Sequence, residues 1–148
     1  VFKKILAAVS MADDDNKRIV AQAQSMLADG GSLRVLSVVD SRYLQYVFDP
    51  TFSAEANKEI ERDAIKQAQA RLESLVAAMG IASTDAEVVA GHPATCIKTV
   101  AEKNHCDLIV MGTHGRRGWR RLLGSVAGEV LHGTPTSVVL CRSSVKEN

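Results

Sequence analysis

Short apolar runs alternate with segments of helical period along this chain, and that alternation leaves few ways to fold it. Phe2 to Val9 ends in the uninterrupted run Ile5 to Val9, as expected of a strand covered on both faces. After the polar, acidic stretch Ser10 to Asn16, the residues Ile19, Val20, Ala23, Met26 and Leu27 recur with helical spacing. Gly30-Gly31 is expected to close that helix, because glycine accepts the left-handed conformation of a helix end. Leu33 to Val39 is a second strand, and Asp40 to Ser53 an irregular connection. Ile60, Ala64, Ala68, Leu72, Leu75, Val76 and Met79 then share one face of a long helix, stopped by Gly80. Ala86 to Val89 is a third strand. Pro93 opens a third helix at the position proline tolerates. Asp107 to Met111 is a fourth strand. Val126, Val130 and Leu131 mark a fourth helix ending near Gly133, and Ser137 to Cys141 is a fifth strand.

Five strands alternating with four helices predict an α/β fold: a doubly wound, five-stranded parallel sheet with helices on both faces. A length of 148 residues suits a single domain spanning residues 1–148. Aromatic residues are only 4% of the chain, so the core must be aliphatic. A formal net charge of +1 argues against a dedicated nucleic-acid binder. No apolar run approaches membrane-spanning length, and Ile5 to Val9 is too short for a secretory signal core. Cys96, Cys106 and Cys141 are an odd set without metal-ligand spacing, which reads as reduced thiols in a cytoplasmic protein.

In doubly wound sheets, ligands sit beyond the carboxyl ends of the strands. That directs attention to Ser10, Val39-Asp40, Ala90-Gly91 and Met111-Gly112. The last of these opens the stretch Met111 to Ser125, with glycines at 112, 115, 118 and 124 and four arginines around Trp119. Glycines let the backbone approach a ligand and turn several N–H groups toward one anion. Ser125 lies near the start of the following helix, where unpaired N–H groups suit a phosphate. The stretch is not a Walker A loop, and Gly112, Gly115 and Gly118 do not have the spacing of a dinucleotide fingerprint.

Gly112-x-x-Gly115 followed by a spacer and Gly124-Ser125 resembles the nucleotide loop of the universal stress protein family. Lys4 to Val9, Val35 to Val39, Gly91-His92-Pro93-Ala94, Asp107 to Gly115 and Pro135 to Leu140 are similar to that family's other segments, so the resemblance covers nearly the whole chain. It implies an adenine nucleotide site. Ala8, Val9 and Val38 would wall the base, with Ser10 at the end of the first strand. Met111, Gly112, Thr113, His114 and Gly115 would hold base edge and ribose, and Gly124, Ser125 and Val126 would face the phosphates. Two departures bear on the ligand. Gly115 and Gly124 enclose eight residues, one fewer than in the ATP-binding members. Ser10 stands where those members usually carry an aspartate near the phosphates and any Mg2+. AMP or ADP is therefore expected to bind as well as ATP, with Mg2+ weakly held.

The resemblance also implies a homodimer through the last strand, Ser137 to Cys141, and an apolar edge strand left unpaired invites such association. His92, His105 and His132 are expected to be polar surface residues, and Asp13 to Asp15 an acidic first turn. Tyr43, Tyr46, Phe48 and Phe52 read as a packed flap or subunit contact. No nucleophile and base pair up by spacing, so at most slow ATP hydrolysis is expected. The leading reading is a nucleotide-binding stress-response module. A nucleotide-independent interaction protein of the same fold is the first alternative, and an enzyme of the related adenylating or pyrophosphatase families the second. Those families typically have Ser-Gly-Gly after the first strand, where this chain has Ser10-Met11-Ala12.

Overall fold

The structure, a computed structural model, describes residues 1–10, 15–41, 50–113 and 124–142. Strands β1 (Phe2–Val9), β2 (Leu27–Asp40), β3 (Ala86–Gly91), β4 (Leu108–Gly112) and β5 (Ser137–Cys141) form a sheet in the order β3-β2-β1-β4-β5. Every neighbouring pair is parallel. Four helices are described with it: α1 (Asn16–Ser25), α2 (Ala54–Ala78), α3 (Pro93–Lys103) and α4 (Ser125–Gly133).

The two-residue period of a strand sorts the apolar runs between two cores. Ile5, Ala7 and Val9 of β1 point to one face, where Ile19 and Val20 of α1 and Leu72 and Val76 of α2 cover them. Leu6 and Ala8 point to the other, against Ile97 and Val100 of α3 and Ala127 and Val130 of α4. The runs are continuous in sequence because both faces are buried. The largest fully buried side chains in the two cores are aliphatic, as the scarcity of aromatics requires.

One expected boundary moves. The first helix does not extend to Gly30-Gly31; it ends at Ser25, and β2 begins at Leu27. Between Phe2↔Leu27 and Lys4↔Ser32, β1 advances two residues while β2 advances five, so the extra residues bulge from the ladder. Gly30 takes φ +75 within that bulge, and a Cβ on Gly31 would sit 2.7 Å from the Lys3 carbonyl oxygen. Left-handed backbone is needed at Gly30, as the sequence suggests, but for a bulge rather than a helix cap.

The other ends follow local chemistry. Ser53 caps α2 by accepting from the Ala56 N–H at 3.1 Å. Pro93 occupies the first turn of α3. Asp107 joins the starts of β1 and β4: its carboxylate accepts from the backbone N–H of Lys3 at 3.0 Å and of Lys4 at 2.9 Å. Those bonds, Lys3 first, hold its carboxyl below the ordinary aspartate range. A depressed folded value means stability present above the unfolded pKa of about 3.9 and lost as pH falls through the lower folded one. Asp107→Asn should therefore unfold less steeply on acidification than the parent. At neutral pH its loss should stay below about 1 kcal/mol, because the group is exposed and screened. Acid titration of the two proteins by circular dichroism checks this; superimposable acid limbs would count against the staple.

No helix among the described residues is long and apolar enough to cross a membrane.

Candidate functional site

The strand order places the topological switch at β1 and β4. From β1 the chain moves to β2 and β3 on one side, then crosses to β4 and β5 on the other. The crevice this opens lies at the carboxyl ends of β1 and β4, which are Val9-Ser10 and Met111-Gly112-Thr113.

Each of these ends is tied down. The Asn16 side chain folds back on the residue after β1: its Nδ2 donates to the Ser10 carbonyl at 2.6 Å, and its Oδ1 accepts from the Ser10 N–H at 3.2 Å. Asn16 is buried, so this pairing resolves the burden of an amide out of water. At the other end, buried Thr113 donates its N–H to the Cys141 carbonyl at 3.0 Å and accepts from the Gly124 N–H at 2.7 Å. That second bond sets the start of α4 directly beside the end of β4.

Gly124 is the N-cap of α4 and has no side chain with which to cap it, and the first turn carries no acidic residue. The leading N–H groups of α4 and the partial positive charge of its N-terminus are thus offered to whatever lies at the crevice. Gly124 has φ −54 and ψ 148, a conformation open to any residue. The backbone therefore does not itself demand glycine there.

Beside this polar end lies an apolar wall. Ala8 is in register with Met111 across the β1–β4 ladder. Both belong to the cluster facing α3 and α4, and Val38 and Val126 pack against it. Val9 differs: its side chain lies in the opposite cluster, toward α1 and α2, which leaves its backbone alone for the crevice. Ser125 is exposed, and Gly112 is half-buried in register with Cys141. His114 and Gly115 lie outside the described residues, as do Arg116, Arg117, Trp119, Arg120, Arg121, Tyr43, Tyr46 and Phe48.

Two residues of this region went unnoticed as site residues in the sequence. Asn16 carried no signal beyond a polar residue at a helix start. His92, expected to be a surface residue, is partly exposed and holds Glu129 of α4 at 2.6 Å. Burial pushes the Cys96, Cys106 and Cys141 thiols up, so none is primed as a thiolate nucleophile. Among the described residues, no three His, Cys, Asp or Glu side chains converge as metal ligands. An open groove of about 620 Å3 runs along α4 and α3, lined by Lys98, Ser125, Gly128, Glu129, His132 and Gly133.

Comparison with known proteins agrees with this architecture. The family model described as "Universal stress protein family" matches residues 2–142. Universal stress protein A homolog 2 of Coxiella burnetii is 28% identical over 142 residues, covering 95% of each chain. Universal stress protein A homolog 1 of the same organism is 30% identical over 131 residues, 88% of this chain and 90% of that one. Among solved structures, hypothetical protein MJ0577 superposes with a TM-score of 0.76 at 21% identity, covering 95% of each chain. A universal stress protein in complex with cAMP gives a TM-score of 0.56 at 21% identity, over 97% of this chain and 98% of that one.

Proposed function

Because the chain belongs to the universal stress protein family, we propose that it is an adenine-nucleotide-binding regulatory protein, holding AMP, ADP or ATP at the switch point and signalling through a dimer or partner surface. The observation that carries this reading is the start of α4. An uncapped helix N-terminus, fixed by the Gly124–Thr113 hydrogen bond, opens beside an apolar wall at the carboxyl end of the central strands. Ala8, Val38 and Met111 supply apolar surface to the base, with Val9 contributing backbone. Gly112, Thr113, His114 and Gly115 hold base edge and ribose. The N–H groups of Ser125 and Val126 receive the phosphates, with Gly124, whose own N–H is held by the Thr113 carbonyl, lining them. The relative solved with cAMP supports an adenine nucleotide as the ligand class.

Ser10 stands where ATP-binding members usually carry an aspartate, so position 10 supplies a neutral hydroxyl rather than a carboxylate to a hard cation. Nucleotide binding is accordingly largely independent of Mg2+, with AMP and ADP held about as well as ATP. The edge strand β5, with Val138, Val139 and Leu140 half-buried, supplies the surface on which a second copy pairs.

The direct test is to denature purified protein, identify any released nucleotide by chromatography, and record thermal shifts with AMP, ADP and ATP. Bound adenine nucleotide, or a rise of several degrees in Tm at ligand concentrations about a hundredfold above Kd, is the expected result. A blank in both assays would move the assignment to a nucleotide-independent interaction protein of the same fold.

A further inference from the structure

We propose that His92 and Glu129 are positioning residues, which hold the N-terminal turn of α4 where it receives the ligand's phosphates. This rests on the nucleotide-binding reading and assigns a function to residues outside the crevice. Helix α4 is nine residues long and buries only Ala127 and Val130, and a helix that short has little stability of its own. Its placement must come from tertiary contacts. Those two apolar side chains, with half-buried Val126 packed beside them, fix its distance from the sheet but resist sliding or rotation weakly, because apolar contact is non-directional.

A directional contact comes from His92. Among the described residues, its hydrogen bond with Glu129 is the one side-chain hydrogen bond that α4 makes to another element. The Glu129 carboxylate accepts, so His92 Nε2 carries the proton. At 2.6 Å the bond is short and charge-assisted. His92 is itself well placed as an anchor. It is the N-cap of α3, between Gly91 at the end of β3 and Pro93. Gly91 has φ +157, and a Cβ there would lie 2.7 Å from Cys96 Sγ, so the backbone before His92 packs closely on the first turn of α3. Glu129 lies one turn after Ser125, and both line the same groove. The contact therefore transmits the position of the β3–α3 turn to the helix end that faces the phosphates.

The test compares the parent with His92→Ala, His92→Gln and the double variant His92→Ala/Glu129→Ala, each titrated with adenosine and with ADP. His92→Ala is expected to bind ADP roughly three- to tenfold more weakly, with adenosine affinity within about twofold, an effect in keeping with the loss of one partly exposed hydrogen bond to a carboxylate. His92→Gln, whose amide N–H reaches the carboxylate, should recover most of the loss. The double variant should stay weak. Its return to parental affinity would mean that His92 merely offsets the Glu129 charge, and would overturn the proposal. Equal losses for adenosine and ADP would overturn it too, since they indicate general loosening. Absence of ADP binding by the parent would refute the nucleotide reading instead. Amide hydrogen exchange over 125–129 in ligand-free protein then decides the positioning role. Faster exchange in His92→Ala, restored in His92→Gln, is expected; identical exchange in all variants would overturn it.

Discussion

The Asn16→Asp variant should be about 2–3 kcal/mol less stable than the parent near neutral pH, and much of that deficit should vanish on acidification. The exchange is nearly isosteric, so packing is unchanged. What changes is one hydrogen bond. Asn16 Nδ2 donates to the Ser10 carbonyl at 2.6 Å, and an aspartate turns a carboxylate oxygen toward that carbonyl instead. The bond from the Ser10 N–H to Oδ1 survives. A negative charge at the first residue of α1 gains about 0.3–1 kcal/mol from the helix dipole. That gain is smaller than the penalty for setting two acceptors against each other at a buried position, so the variant loses. Protonation reverses the sign, because a carboxylic acid can donate to the Ser10 carbonyl. The folded-state pKa of the introduced carboxyl therefore rises above the unfolded value of about 3.9. A raised folded value means the deficit is smallest below the unfolded pKa and grows as pH rises through the folded one. Urea unfolding of both proteins between pH 4 and 7, read as their difference, checks it. Asn16→Ala, which loses both bonds and has nothing to titrate, should show a deficit that is flat with pH. Parental stability of Asn16→Asp at pH 7 would show that the Asn16–Ser10 pair contributes nothing.

The architecture was legible because both faces of the sheet are buried. Ile5 to Val9 and Leu108 to Met111 read as continuous apolar runs only because α1 and α2 take one set of side chains and α3 and α4 the other. Pro93 and the run Ser137 to Cys141 marked their elements directly. The end of α1 was not legible. Met26 and Leu27 continue the helical period, and what ends the helix is the register of Leu27 with Phe2, a tertiary fact. The site divides in the same way. The end of β4 and the start of α4 announce themselves through glycines around a buried strand. Asn16 became a site residue only once its side chain was seen to fold back six positions onto Ser10. The His92–Glu129 contact joins residues 37 positions apart, and no local spacing reports it.

The substitution Gly124→Asp should separate the site from the fold more cleanly than any other: ADP and ATP affinity falls at least about 30-fold while Tm holds or rises. The fold tolerates the change because Gly124 already has dihedrals that any residue adopts. Its N–H, donated to the Thr113 carbonyl at 2.7 Å, is retained. Aspartate is also a strong N-cap. Its carboxylate would accept from the N–H of Val126 or Ala127 and meet the positive end of α4, adding a few tenths to about 1 kcal/mol. The same carboxylate removes the donors proposed for the phosphates and sets a negative charge against them. Two unit charges about 4 Å apart repel by about 4 kcal/mol at the effective dielectric of a protein surface. Even half of that, about 2 kcal/mol, is roughly 30-fold in affinity. Adenosine has no phosphate to repel and should bind within about threefold of the parent. Gly124→Asn, a neutral cap, should fall between the two, since it competes for the N–H groups without the charge. Isothermal titration with adenosine, ADP and ATP, alongside thermal unfolding, gives both readouts on the same samples. If Gly124→Asp is stable and still binds ATP like the parent, the phosphates do not lie at the start of α4. The helix N-terminus would then be an ordinary solvated end rather than the anion site of this fold.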